Sequence, residues 1–412
     1  MKIDTLVNDG RNNSSLIIII ASIITVIAFM EIIPDKMKIN DSVDYFSRYK
    51  PSAENIYHNF DFETIEYYVP GYPIIICFSF LLSDIFGIDI NLSNHLFQLL
   101  FFIISALLIF KIGNLFFRKK FALLPSLIWI SYPPNLYMMK QSTTPSVPFI
   151  ALLFYIVYLF LKLIKENNFS KFNFFYLGML IGILMYIKPT AIGLGFIFTI
   201  VIFVTLKSKN YLQRTYLSLV LLLGIELIIL PWQAFIYKQT DKFVFLMPNS
   251  IMMIKDGLVF NQKTDSRIGI KLSDDVEQIS VIVKKNWYQL KDFPDLVNVL
   301  TPYFKDSPIS FIKLFFIKVI RSFYGLDSHR YENMSLIMQA VYFALIIRGI
   351  IFSFNKSIIM KKYFILISFI FIYFLANAVA VVPILRYINP PLGLFFIFIP
   401  FAFFKYSNLV KG

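Results

Sequence analysis

The sequence contains little charge and only one cysteine in a chain of 412 residues. Charged residues make up 16% of it, whereas an average soluble domain contains about 25%. Hydrophobic residues make up 58%, and the mean hydropathy is +0.68. A water-soluble fold could not bury that much apolar surface, and the single Cys77 excludes a disulfide within the chain. The composition therefore predicts a polytopic membrane protein.

The net charge of +14 would suggest a nucleic-acid partner in a soluble protein. Here the Lys and Arg residues form short clusters between apolar runs, which is the positive-inside pattern of a membrane protein. No nucleic acid is expected as a partner. The sequence also lacks glycine-rich phosphate loops and a soluble dinucleotide-binding domain, so no nucleotide-sugar site is expected.

The apolar runs predict an all-α fold with about ten transmembrane helices. They are Ser15–Ile33, Leu92–Phe110, Ala122–Tyr137, Val147–Leu163, Phe174–Ile187, Ala191–Leu206, Tyr216–Pro231, Leu336–Phe352, Tyr363–Val382 and Pro391–Phe404. Another apolar run, Gly71–Phe86, contains Asp84 and begins beside Pro70 and Pro73. We predict that it inserts only partly into the external leaflet, because the basic loops then all face the cytoplasm.

This topology places both termini in the cytoplasm and four regions outside: 34–70, 131–145, 234–333 and 383–390. We predict a transmembrane module over 1–233 that includes the first external loop, a mostly helical external loop over 234–333, and C-terminal transmembrane helices over 334–412. Amphipathic stretches at Val276–Leu290 and Ile309–Phe323 predict surface helices in the large loop.

The first external loop contains Asn40-Asp41-Ser42-Val43-Asp44-Tyr45-Phe46 and then Tyr67-Tyr68-Val69-Pro70-Gly71-Tyr72-Pro73. This loop resembles the first external loop of the GT-C membrane glycosyltransferases, such as the protein O-mannosyltransferases and the lipid A aminoarabinose transferase. That loop reads Asp-Glu-x-x-Tyr and then Pro-Pro-x-x-Tyr at a juxtamembrane helix. Asp41 and Tyr45 match its Asp and Tyr, whereas Ser42 replaces its Glu.

Four later motifs are similar to GT-C motifs and follow the same order. They are the basic turn Lys111-Ile-Gly-Asn-Leu-Phe-Phe-Arg-Lys-Lys, Gly182-Ile-Leu-Met-Tyr-Ile-Lys188-Pro189, Leu230-Pro231-Trp232 and Arg386-Tyr387-Ile-Asn-Pro390. The second external turn departs from the pattern, because Lys140-Gln141-Ser142-Thr143-Thr144-Pro145 lacks the acidic residue of many members. Metal dependence stays open, with a divalent metal as one option.

The resemblance implies an inverting glycosyltransferase of a bacterial inner membrane, with its active site facing outside. Its donor would be a polyprenyl-phosphate-linked sugar, and its acceptor a lipid, a glycan or a protein. Asp41 or Asp44 would accept the acceptor's proton. Lys188 and Arg386 would hold the donor phosphate. The remaining substrate contacts would come from Tyr45, Tyr68 and Tyr72.

Each residue also has a structural interpretation. The two aspartates could be solvated loop carboxylates or helix caps. Lys188 and Arg386 could anchor helix ends at the membrane surface, and the tyrosines could belong to an aromatic belt. Two other functions stay open. An oligosaccharide polymerase or ligase would use loop residues such as Arg321 and His329, and a transporter would need charges inside its spans, which are nearly uncharged here.

Overall fold

The computed structural model describes residues 4–32, 45–62, 69–140, 144–207, 209–241, 243–246, 250–262, 269–326, 329, 331–354 and 356–409. Side chains are described for all of these except residues 4–12, 140 and 250. The regular elements of these residues are helices, as the sequence predicts.

The helices are numbered here in chain order. The first ten are α1 (Asp4–Ile32), α2 (Lys50–Asn59), α3 (Gly71–Phe86), α4 (Ile90–Phe116), α5 (Lys119–Ser131), α6 (Pro133–Lys140), α7 (Ser146–Glu166), α8 (Lys171–Ile187), α9 (Leu194–Thr205) and α10 (Tyr211–Thr240). The remainder are α11 (Ser250–Leu258), α12 (Asp274–Lys285), α13 (Phe293–Asp306), α14 (Pro308–Ser322), α15 (Glu332–Ser353), α16 (Ile358–Ala380), α17 (Leu385–Phe395), α18 (Ile399–Phe403) and α19 (Tyr406–Leu409).

The helix pattern confirms an all-α polytopic membrane protein. Within the described residues, seven helices are long and apolar enough to cross a bilayer. Shorter apolar helices cover Gly71–Phe86, Lys171–Ile187 and Pro189–Thr205. The helix over Gly71–Phe86 has the predicted bounds, and at about 1.5 Å per residue its 16 residues extend roughly 24 Å, less than the ~30 Å hydrocarbon core. Its depth in the bilayer stays a prediction.

Two predicted spans differ from the structure. The run Ala122–Tyr137 is not one helix, because α5 ends at Ser131 and α6 begins at Pro133. A proline disfavours helical conformation in the residue before it, which explains the break at Tyr132. The run Pro391–Phe404 is also divided: α17 begins earlier, at Leu385, and a 3-10 turn separates it from α18.

The chain divides into two compact units. Unit 1 contains Met1–Met247, Ile346–Phe369 and Gly393–Gly412. Unit 2 contains Pro248–Leu345 and Ile370–Leu392. The three-part division predicted from the sequence follows chain order, whereas both units combine separate segments of the chain.

In unit 1, α8 and α10 cross with their backbones in direct contact. A methyl group added to Gly178 would overlap the carbonyl of Leu221, and one added to Gly224 would overlap the carbonyl of Phe175. Facing glycines are what allow helices to approach this closely. The crossing fixes α8, whose last residue precedes Lys188, against the longest helix of the unit.

Unit 2 contains two small apolar clusters that hold α11, α12, α13 and α14 together. One is built around Phe260, Val276 and Leu314, and therefore joins α12 to α14. The other includes Ile251, Val283 and Leu296, and joins α11, α12 and α13. The predicted amphipathic stretches correspond to α12 and α14, although α12 ends at Lys285 rather than at Leu290.

Candidate functional site

Three of the predicted site residues, Tyr45, Tyr72 and Lys188, lie in unit 1 and are described by the structure. Tyr45 and Tyr72 are almost fully buried and belong to one apolar cluster with Ala53 and Ile76. This cluster packs the turn at Tyr45 and helix α2 against the first turns of α3. The two tyrosine rings are therefore packed within the protein, and their predicted substrate contacts stay a prediction.

Helix α3 begins against the end of α8. A methyl group on Gly71 would lie 2.4 Å from the carbonyl carbon and oxygen of Tyr186 and 2.7 Å from the amide nitrogen of Ile187. Only glycine fits there without a backbone shift. Pro70 and Pro73 flank this contact at the first turn of the helix, where a missing N–H costs no helical hydrogen bond. The Pro-Gly-Tyr-Pro motif thus joins the start of α3 to the residues just before Lys188.

Gln98 connects α3 to α7. Its Nε2 donates to the hydroxyl of Tyr72 at 3.1 Å and lies 3.4 Å from the carbonyl oxygen of Thr144, two residues before α7. Gln98 and Thr144 are both buried. Gln98 Oε1 and Thr144 Oγ1 have no hydrogen-bond partner among the described residues. Buried polar atoms of this kind normally have partners, so this end of unit 1 offers hydrogen-bonding capacity to a bound molecule or water.

Lys188 follows the last residue of α8, where Pro189 prevents the helix from continuing. It is half-buried, and its Nζ lies 5.7 Å from the centre of the Phe149 ring in the first turn of α7. Thr144 and Phe149 therefore bring the Gln98 contact and the lysine to the same end of α7. Gln98 bridges the N-terminal ends of α3 and α7 at this point, and the N-terminal end of a helix favours an anion.

Asp41, Asp44 and Tyr68 lie outside the described residues. In the chain, Asp44 directly precedes Tyr45, and Tyr68 stands two residues before Pro70. Their roles as proton acceptor and substrate contact stay predictions.

Arg386 lies at the start of α17 in unit 2, half-buried and with its guanidinium 5.7 Å from the Tyr387 ring centre. Lys188 belongs to unit 1. The predicted meeting of these two cations at one phosphate therefore stays a prediction.

Arg321 and His329, the loop residues of the alternative ligase function, belong to a buried network in unit 2. Arg321 is 2% exposed and donates to Glu332 Oε1 at 2.5 Å and to the carbonyl of Pro383 at 2.7 Å. The Pro383 carbonyl accepts from Nη1, whereas Nη2 donates to Glu332 and also lies 3.1 Å from His329 Nδ1. These contacts tie α14 to the start of α15 and to the segment before α17, so they account for both residues as parts of the fold.

Gln98 and Glu332 were not singled out by the sequence pattern, and Gly71 was noted only as part of the Pro-Gly-Tyr-Pro motif, without its contact to Tyr186. Gln98 is one polar residue in an otherwise apolar run, which is the signal that could have identified it. Glu332 gave no such signal, because its partner Arg321 is eleven residues away in the chain. Within the described part of the chain, no three His, Cys, Asp or Glu side chains form a group that could hold a metal ion.

One family model matches a segment of unit 1. Residues 70–233 match the family model of dolichyl-phosphate-mannose-protein mannosyltransferase. No curated protein matches the chain. Among solved structures, the chain is similar to ArnT from Cupriavidus metallidurans bound to undecaprenyl phosphate, with 11% identity and a TM-score of 0.41. That alignment covers 94% of this chain and 76% of ArnT.

The matched segment begins at Pro70 and ends at Gln233, and it therefore contains helices α3 to α9 and most of α10. It includes the Pro-Gly-Tyr-Pro motif, the Lys188-Pro189 turn and the Pro231-Trp232 pair, which are three of the motifs that carried the resemblance. The family match over residues 70–233 thus confirms the resemblance of this chain to the GT-C membrane glycosyltransferases.

Proposed function

We propose that this protein transfers a sugar from a polyprenyl-phosphate-linked donor to an acceptor at the external face of a bacterial inner membrane. One observation carries the proposal. The segment that matches the mannosyltransferase family is also the segment that brings Tyr72, Gln98 and Lys188 to one end of unit 1. The family match supports a glycosyltransferase, and the position of Lys188 supports an anionic, phosphate-containing donor.

Lys188 is proposed to bind the donor phosphate. Its ammonium group stands beside the N-terminal end of α7, where the helix dipole also favours negative charge. A half-buried site of this kind strengthens the attraction for a phosphate relative to bulk water. Arg386 is proposed as the second cation, which would share the phosphate charge as the leaving group departs.

Asp41 is proposed as the proton acceptor, with Asp44 as the alternative. The acceptor hydroxyl oxygen forms a bond to the anomeric carbon while the bond from that carbon to the phosphate oxygen breaks. The proton of the hydroxyl moves to the carboxylate, and polyprenyl phosphate leaves with the bonding electrons. Attack from the face opposite the phosphate inverts the anomeric carbon.

Tyr45 and Tyr72 fit a positioning role as well as the predicted contact with substrate. Tyr45 is buried in the cluster that holds the start of α3, and Asp44 is its neighbour in the chain. Tyr72 is held by Gln98 and by the ring of Tyr49, whose centre lies 5.0 Å away.

The experiment is a transfer assay with the full chain in lipid nanodiscs and a panel of radiolabelled polyprenyl-phosphate sugars. Both the labelled product and the released polyprenyl phosphate are measured. The variants are Lys188→Gln and Asp41→Asn, which remove charge or basicity and keep approximate size. The matched control is Lys162→Gln, since Lys162 lies near the other end of α7 and forms only an exposed pair with Glu166 at 3.8 Å.

The expected result is release of polyprenyl phosphate that requires an acceptor and falls at least about a hundredfold in Asp41→Asn, the lower end for loss of a general base. Lys188→Gln should raise KM for the donor and lower kcat, whereas Lys162→Gln should behave like the wild type. If no sugar of the panel is transferred in nanodiscs, while the same protein in sealed proteoliposomes moves the donor lipid across the bilayer unchanged, the protein is a transporter and the proposal is wrong.

A further inference from the structure

Helix α14 is buried against unit 2 on one face and exposes large apolar side chains on the opposite face. A helix whose outer face bordered only water would not carry such side chains there. On one face, Ser310, Leu314, Lys318 and Arg321 are buried in unit 2. The opposite face carries the exposed side chains of Ile309, Ile312, Phe315, Phe316 and Ile320, here called the α14 apolar face. Three of its members, Ile309, Phe316 and Ile320, are 64%, 58% and 59% exposed. An exposed apolar stripe of this size calls for something to cover it.

The C-terminal end of α14 is held at the ends of two membrane-spanning helices. Lys318 Nζ donates to the carbonyl of Val381, directly after α16, at 3.0 Å. The amide of Leu385 donates to the carbonyl of Gly325 at 2.8 Å. The ring of Phe323 packs on Phe343 of α15 and Phe371 of α16, with centres 5.0 and 6.0 Å apart. These contacts tie the C-terminal end of α14 and the residues after it to α15, to α16 and to the start of α17.

The exposed surface of α15 that continues from this position is also apolar. Met334, Ile337 and Val341 are exposed along the first part of this span, where side chains of a membrane helix meet lipid. The consecutive helices α14 and α15 thus both leave large apolar side chains exposed. Of the three basic residues of α14, Lys318 and Arg321 are buried in unit 2 and Lys313 pairs with Asp275, so the five side chains of the α14 apolar face are all uncharged.

We infer that α14 is an interfacial helix whose apolar face inserts into the outer boundary of the bilayer beside α15 and α16. The partner is the lipid bilayer itself. A second protein chain would leave unexplained why this face is placed at the ends of two spans. Lys313, on the edge of the same face, pairs with Asp275 at 2.8 Å and is half-exposed, which places its ammonium group at the water-facing border.

The consequence for the protein is that the bilayer holds unit 2 in place through α14. The same helix carries Arg321, which binds the carbonyl of Pro383 three residues before Arg386. Lipid contact along α14 would thus stabilise the segment that presents Arg386, whatever reaction the protein catalyses.

The test uses the full chain in nanodiscs on a Cys77→Ser background, with a nitroxide spin label at Ile312→Cys or Phe316→Cys. Tyr288→Cys is the matched control, because Tyr288 is 92% exposed and lies in the turn after α12, away from α14. Electron paramagnetic resonance compares the accessibility of each label to oxygen, which concentrates in lipid, with its accessibility to a water-soluble nickel chelate.

The expected result is a several-fold higher ratio of oxygen to nickel accessibility at positions 312 and 316 than at 288. The ratio at 312 and 316 should fall when the nanodisc lipid is replaced by a short-chain detergent. Nickel accessibility at 316 equal to that at 288 would overturn the inference, because the face would then be in water. Low accessibility to both reagents at 312 and 316 would also overturn it, because a protein surface would then cover the face.

Discussion

The contact between Gly71 and the end of α8 gives the sharpest prediction, because a single methyl group tests it. In Gly71→Ala the new carbon would lie 2.4 Å from the carbonyl of Tyr186, whereas ordinary contacts are 3.4–4 Å. Relief of this overlap requires a separation of about 1 Å between the start of α3 and the end of α8. Overpacking against backbone of this kind costs about 1–3 kcal/mol in stability.

The expected effect on activity is larger than the effect on stability. Lys188 follows the displaced residues directly, and a shift of about 1 Å in a positioning group can cost about a hundredfold in rate. The assay measures thermal unfolding in nanodiscs and sugar transfer on the same samples. Gly195→Ala is the matched control, because its methyl group would meet only side-chain tips: Ile225 Cδ1 at 2.7 Å, which can rotate away, and Leu222 Cδ2 at an ordinary 3.5 Å.

Gly71→Ala with wild-type unfolding temperature and wild-type transfer would refute this reasoning, since the backbone contact could then not be as close as the structure has it. Lower stability with normal transfer would support the close packing of α3 on α8. It would contradict the claim that this packing positions Lys188 for the reaction.

Three further predictions concern buried polar groups. Gln98→Leu removes one of the hydrogen bonds to the buried Tyr72 hydroxyl and should lower the free energy of unfolding by about 1–3 kcal/mol in denaturant titration. Glu332→Gln leaves the Arg321 charge buried without its anion and should cost about 3–5 kcal/mol in the same titration, with Glu332→Asp expected to retain part of the pair. Burial lowers the pKa of Lys318 from 10.5 to about 7. At a pH between these two pKa values, the unfolded chain binds more protons than the folded chain. The unfolding temperature should therefore rise from pH 7 to 10, and Lys318→Met should flatten that rise.

The sequence predicts the helices well because spanning length and apolar composition are local properties. The bounds of the helix over Gly71–Phe86 follow from Pro70 at its start and Gly87 at its end, where a φ of 64° favours glycine. The break at Tyr132 was also readable in Pro133 and Pro134, but the continuous apolar run concealed it.

The site was predicted only in part, because contacts between distant segments leave no local signal. The Lys188-Pro189 turn is visible in the sequence, whereas its approach to Phe149 depends on how α7 and α8 pack. The burial of Tyr72 and its hydrogen bond to Gln98 likewise depend on packing between α3 and α4. An apolar membrane segment gives no periodic pattern from which such a contact could be read.

The glycine crossing of α8 and α10 restricts where this protein can open to a substrate. Gly178 and Gly224 each lie against a carbonyl of the opposite helix, and the Tyr186 hydroxyl donates to the carbonyl of Ile228 at 2.6 Å close to the Lys188 turn. Helices interlocked in this way can neither slide nor rotate past each other without breaking backbone contacts. We therefore expect Lys188 to act as a stationary anchor. Conformational change that admits a long lipid tail would then occur in helices other than α8 and α10.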